Sequence, residues 1–440
     1  MRLRLGLVGL VTVGLVAAAG CTSSKPSSGS QSQSTPTTSA QSAGEHAGMD
    51  MGATPALDSS PQQRALSFDQ LFGQNALMSV RLSRDLLTPE PDPRQASLNG
   101  LQTSNQNLSK LVASSYGGPE GSRFQGVWER QTSDLSAYAD AVAKQDTAAK
   151  SKARNALLAD AKAFGDWLAS ASKGKVDAAS ATAVVKAHVQ DLMAQVDAYA
   201  AKDYGQAYKL ERQAYERLFS NGVMLAKGSV GPKIAAGYDA PTEKLRAAFA
   251  MLLGEHMEMI IEAQRATFAG QEQFKAAAAQ VNANTAAITQ GMAGIVGPQQ
   301  AKEFQAAWAE HVNGLMAYTA AVADTNTDAK TKAVDELNQL AVDLAVYFSH
   351  VVKNQQAVVP LTGAVTAHDT HLTDQVDAFA AKDYAKAQQL ENAGYQQMLG
   401  VSDTLVNAIQ RSVKAGLPVG GSQTGGGSMA HKPYRPYAKR

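Results

Sequence analysis

Apolar side chains recur along most of this chain at intervals of three, four and seven, the spacing that keeps residues on one face of an α-helix. In 299–323 the stripe is Phe304, Trp308, Leu315 and Tyr318; in 243–268 it is Leu245, Phe249, Leu252, Leu253 and Ile260. In 360–381 it is Leu361, Val365, Leu372, Val376 and Phe379. Alternating β-branched runs, the mark of strands, are missing. The pattern predicts helices over 64–87, 95–115, 121–144, 147–172, 177–201 and 203–227, then over 243–268, 271–293, 299–323, 327–353, 360–381 and 383–413. Breaks fall at Gly297-Pro298, at Asn326-Thr327 and near Pro360. Pro298 suits a first helical turn, and Asn326, Asp203 and Asp383 suit N-caps. Long helices joined by short connections make antiparallel neighbours, so the expected fold is all-α and built as up-and-down bundles.

The two groups of helices carry related sequences. "VDAYAAKDY" at 196–204 returns as "VDAFAAKDY" at 376–384, and "DTAAKSKA" at 146–153 returns as "NTDAKTKA" at 326–333. "LFGQN" at 71–75 returns as "LLGEH" at 252–256, and "FQGVWERQTSDLSAY" at 124–138 as "FQAAWAEHVNGLMAY" at 304–318. A period of about 180 residues is the size of a domain, not of a solenoid unit. The chain therefore reads as two tandem duplicated bundles, over 63–235 and 236–415.

The repeats are unequal in their inward polar residues. His256 and His311 fall on the apolar stripes of their helices, as does His368, with His371 one turn further on and His350 bordering the core of 327–353. In the first copy the matching positions are Asn75, Gln131, His188, Asp191 and Ser170. Three helices of the second copy thus each turn a histidine inward, at similar heights. Bundle cores are where ligands from facing helices converge on a metal, and neutral imidazole suits copper, zinc, iron or nickel. Met259 shares this side of the His256 helix and Glu255 flanks it, and either is a candidate to complete the shell. The competing reading is a polar core layer whose members hydrogen-bond one another.

The chain ends change the setting. Arg2 and Arg4 precede an apolar run over 5–18 and then "AAGC", ending at Cys21, the only cysteine. A basic start, a short apolar run and small residues before a cysteine describe an export leader, 1–20, with Cys21 as the lipidated first residue of the mature chain. This implies an extracytoplasmic protein anchored to the cell membrane by lipid. Residues 21–62 are rich in Ser, Thr, Gln and Gly and read as a flexible tether. Within it, "GEHAGMDMG" sets His46 beside Met49 and Met51, a soft donor set suited to copper and a weaker second metal candidate. The segment 416–440 is Gly-rich, with Lys432, Arg435, Lys439 and Arg440 interleaved by Tyr434 and Tyr437. That basic tail is a candidate contact for an envelope protein, wall polymer or lipid headgroup. Removing Arg2 and Arg4 leaves 38 basic residues against 39 acidic ones, a net charge of about −1, which gives no footing for nucleic acid.

The "LLGEH" helix, the Trp308-x-x-His311 helix and the "HDTHL…AAKDYAKA" helix pair together resemble a group of duplicated, all-helical, exported bacterial proteins of poorly defined role, some with copper-related labels. If that resemblance implies a metal, the matching positions are Glu255, His256, His311, His368 and His371. An oxidase activity is not expected, because no Asn-Tyr-Asp or Asn-Tyr-Glu triplet is present. Nor is there a Gly-rich phosphate loop, a Gly-x-Ser-x-Gly or a His-Glu-x-x-His. The expectation is a membrane-anchored binding lipoprotein holding a transition metal, copper foremost, in its second bundle. The alternative is a structural or protein-interaction lipoprotein of the envelope without metal.

Overall fold

The computed structural model describes residues 60–354 and 357–414, and every element in them is helical. The leader, Cys21, the tether residues His46, Met49 and Met51, and the basic tail lie outside these residues. The helices are α1 (Pro61–Asp85), α2 (Pro91–Tyr116), α3 (Gly118–Ala143), α4 (Thr147–Ala171), α5 (Ala178–Ala200), α6 (Tyr204–Asn221), α7 (Val223–Ser229), α8 (Pro232–Gly237), α9 (Pro241–Ala269), α10 (Gln271–Val296), α11 (Pro298–Ala323), α12 (Thr327–Val351), α13 (Val358–Ala380) and α14 (Tyr384–Lys414). Each long helix packs on its chain neighbour, as a helical bundle requires. None of the described helices is long and apolar enough to cross a membrane.

Local chemistry sets the boundaries. Asp146, Asp203 and Asn326 each accept a hydrogen bond from the backbone N–H three residues on, opening α4, α6 and α12. Asp383 does the same for α14. Pro298 enters the first turn of α11 after Gly297, whose φ of 86° a β-carbon would oppose. The helix expected over 203–227 is instead two, α6 and α7. Asp69 of α1 accepts from the backbone N–H of Val223, giving the chain a new helix start. At Gly222 the α1 backbone comes so close that a β-carbon would lie 2.6 Å from Asp69 N. The short α8 was not expected from periodicity. Pro360 does not precede α13; it sits in its first turn, where a missing N–H is tolerated.

The same contacts recur in the two sets α1–α6 and α9–α14. Tyr138 Oη donates to Asp197 Oδ2 at 3.0 Å, and Tyr318 Oη donates to Asp377 Oδ2 at 2.9 Å. Left-handed residues end helices in pairs 180 apart: Gln145 and Thr325, Lys173 and Lys353, Lys202 and Lys382. Each set has its own core. Phe72, Phe124, Trp128 and Phe164 anchor the first; Phe249, Phe304, Trp308 and Leu344 anchor the second.

The two sets share a seam formed by α1, α6, α9 and α14. Its apolar part includes Leu77, Tyr215, Phe219, Ala250 and Tyr395. Its polar part is a buried ion network. Arg84 pairs with Glu211 at 2.8 Å and Glu262 at 2.6 Å; Arg81 pairs with Glu262 at 2.6 Å and Glu391 at 2.8 Å; Arg265 pairs with Glu391 at 2.7 Å. Glu258 closes on Arg81 at 3.5 Å. Three guanidiniums face four carboxylates, so one carboxylate is in surplus. Burial, and then the neighbouring Glu391, pushes Glu258 well above the usual carboxylate range. A buried carboxylate without its own cation holds a proton in preference to a charge.

Candidate metal centre

His256 of α9, His311 of α11 and His368 of α13 meet inside the second set, at relative exposures of 0%, 1% and 4%. Their ring centroids form a nearly equilateral triangle with sides of 5.9, 5.7 and 5.6 Å. One ring nitrogen from each lies within 4.8 Å of the other two, so the group can hold a metal ion. Metal–nitrogen bonds of about 2 Å, with each ring centre roughly 1 Å beyond, place the centroids of three ligands roughly 5 Å apart around one ion. The triangle is slightly wider than that, a difference small rotations of the rings remove.

Helix periodicity brings these side chains together. His256 follows Leu253 by three residues, His311 follows Trp308 by three, and His368 precedes Leu372 by four; each therefore shares its helix's buried face. Trp308 forms one wall, with its ring 4.6 Å from His256 and 5.6 Å from His311. Phe304 packs behind it at 5.2 Å.

No hydrogen bond satisfies these rings. Both nitrogens of His256, both of His368 and Nδ1 of His311 are buried without a partner, as is Trp308 Nε1. Orphaned buried polar groups cost about 1–3 kcal/mol each, so a concentration of them in one place needs a physical cause. Burial pushes His311 down to about 4. It also pushes His256 and His368 well below the usual imidazole range, helped by repulsion from the neighbouring imidazoles. All three are therefore neutral near pH 7 and keep a lone pair for a metal.

The first set solves the same layer differently. Asn75 Oδ1 accepts from Trp128 Nε1 at 2.9 Å, and Asn75 Nδ2 donates to Asn105 Oδ1 at 2.6 Å and to Ser104 Oγ at 3.3 Å. Asn105 continues the chain to Thr132 at 3.1 Å. Asn75 and its partners are thus held by their own hydrogen bonds, whereas the ring nitrogens of His188 are unpartnered here too. The reading of a self-satisfied polar layer fits Asn75 and its partners; it does not fit the imidazoles of the second set.

The other sequence candidates are placed elsewhere. Glu255 is fully buried, but its carboxylate takes a two-pronged contact from Arg212 and a hydrogen bond from Asn284 Nδ2 at 2.8 Å. Met259 packs in the apolar core. His371 is half-buried, with Nδ1 2.7 Å from Ala367 O of its own helix, and His350 is exposed. None of these four belongs to the three-histidine cluster.

One residue the stripes did not single out is Asp369. Its Oδ1 is 3.4 Å from His311 Nδ1, without the alignment of a hydrogen bond, and both carboxyl oxygens are buried and unpartnered. Burial pushes this carboxyl well above its usual range. The signal lay in the repeat itself, where Val189 stands at the matching position. A carboxylate beside a ligand imidazole fixes its tautomer and raises its basicity. No protein-family model matches the chain, and comparison with curated proteins and with solved structures finds none that matches.

Proposed function

We propose that this protein is an extracytoplasmic, lipid-anchored binding protein that holds one transition-metal ion, copper in the Cu(I) state foremost, on His256, His311 and His368. The observation that carries the reading is the convergence of unpartnered, neutral imidazole nitrogens in a buried core. A metal ion supplies the partner these nitrogens lack.

Charge favours a monovalent ion. Burying an ion away from water carries a cost that rises with its charge, and Asp369 sets a carboxyl beside the triad. Burial favours a protonated Asp369, and a bound cation would draw the carboxyl back toward ionisation; a Cu(I) ion opposite the ionised form leaves the pocket neutral, whereas a divalent ion leaves it positive. Imidazole is also a donor copper accepts readily. The lipid anchor at Cys21 and the soft tether donors His46, Met49 and Met51 fit a role at the outer face of the membrane. The tether would then meet copper first.

The test is metal content and affinity of the mature chain, measured by elemental analysis and by competition with a Cu(I) chelator. One equivalent of copper, lost in His256→Ala, His311→Ala and His368→Ala but kept in His371→Ala, supports the assignment. A chain that takes up no stoichiometric metal would return the protein to the envelope-interaction reading.

A further inference from the structure

An apolar cavity of about 40 Å³ lies against the triad, on the side of His311 and His368. Trp308 and Phe304 form part of its wall, and Met398 and Leu405 of α14 close it from the other side. His256 is not among its lining residues, so the space opens on one face of the cluster only. Its rim consists of half-buried apolar residues, Phe348 at the end of α12, Leu361 and Val365 in the first turns of α13, and Val401 of α14.

Three considerations decide what this space accepts. A single water needs roughly 10–15 Å³ of such space and two to four polar partners; the cavity has the room, but apart from the rings of Trp308, His311 and His368 its walls are apolar, so it disfavours water. A charged or strongly polar molecule passing the apolar rim loses its hydration with nothing to replace it. A molecule of two or three heavy atoms fits; an amino acid, a sugar or a carboxylic acid does not. Three protein ligands leave a metal one coordination position free, the arrangement that distinguishes open metal sites from closed structural ones. The cavity is the space beside the triad available to such a position.

We propose that the free position of the three-histidine site takes a small, neutral, apolar molecule, of the size of a diatomic gas, lodged in the cavity against His311 and His368. The inference rests on the reading of the histidines as metal ligands. Binding is reversible coordination, with no bond broken in the ligand and no electron transferred. The cavity therefore acts as a sieve: it admits by size and polarity, and the metal retains.

The experiment uses the full mature chain loaded with one equivalent of Cu(I), exposed to carbon monoxide and followed by the infrared band of the bound gas. Ala364 lines the cavity one turn before His368, and Ala364→Phe fills the space without replacing a ligand. Leu405→Phe fills it from the opposite wall, and circular dichroism checks that both variants fold. The expected result is one carbon monoxide per copper in the parent chain. At least one well-folded variant should keep its copper and bind the gas roughly tenfold more weakly or worse, a loss of about 1.4 kcal/mol. Copper bound without any carbon monoxide uptake, or uptake unchanged when the cavity is filled, overturns this inference and leaves the metal site standing. If the parent chain binds no copper at all, the ligand reading falls and this inference falls with it.

Discussion

Replacing His256 with asparagine rewrites the second polar layer in the terms of the first, and the outcome can be worked from the contacts. In the first layer Asn75 satisfies the indole N–H of Trp128 and donates to Asn105. Around His256 one corresponding group is waiting: Trp308 Nε1 is buried without a partner, and its ring lies 4.6 Å from the imidazole. The pairing recovered is worth about 1–3 kcal/mol, and two orphaned ring nitrogens disappear with the imidazole. Against this, the smaller side chain leaves a gap costing about 1–2 kcal/mol. The lost contact with the Trp308 ring costs a further 0.5–1.5 kcal/mol or so. The balance is a metal-free protein as stable as the parent or more so, by up to about 2 kcal/mol, a rise in Tm of a few degrees at most. The copper response moves the other way. A ligand present at a hundredfold excess over its Kd stabilises the folded state by about 2.7 kcal/mol, and His256→Asn forfeits that gain. Thermal unfolding followed by circular dichroism, on chelator-treated protein with and without Cu(I), reads both effects. A loss of more than about 2 kcal/mol in the metal-free variant would refute the reasoning, because the imidazole would then be supporting the fold by itself.

Three further outcomes follow from the geometry. Asp369→Val, which installs the first-copy residue, should weaken Cu(I) binding by about 10–100-fold while leaving the metal-free protein at least as stable; competition with a chelator and urea unfolding check the two halves. Arg84→Met strips Glu211 and Glu262 of a buried cation and should cost about 3–5 kcal/mol in urea unfolding; an unchanged midpoint would show that the seam network does not hold the two sets together. Burial raises Glu211 to about 7, against the pull of Arg84, so its folded pKa lies above its unfolded one. The stability it contributes is whole below about pH 4.5 and is lost as pH rises through 7, so the parent chain should lose about 1–3 kcal/mol relative to Glu211→Gln between those limits. Because the buried histidines shift stability in the opposite sense below about pH 6.5, the difference between the two chains is the quantity to measure; a flat difference would mean that the seam neutralises Glu211 fully.

The helices were legible in the sequence because a 3.6-residue period repeats over many turns and because caps are local chemistry. Asp146, Asp203, Asn326 and Asp383 each needed only a backbone N–H three residues away. The inward turn of His256, His311 and His368 was legible for the same reason: a stripe on a helix fixes which face is buried. The matching segments of the two halves were legible by comparison, with Asn75 and Gln131 standing where the second half has His256 and His311.

What the sequence could not supply is distance between helices. Glu255 stands next to His256 in the chain, yet successive residues on a helix point about 100° apart, and Arg212 of α6 draws the carboxylate toward the seam. Asp369 shows the converse, since only the packing of α13 on α11 brings it to His311. The break between α6 and α7 depends on Asp69, 154 residues earlier in the chain. Local periodicity determined the helices and their buried faces; the tertiary structure alone decided which polar groups found partners and which three imidazoles were left facing one another, because partnering depends on where separate helices come to rest.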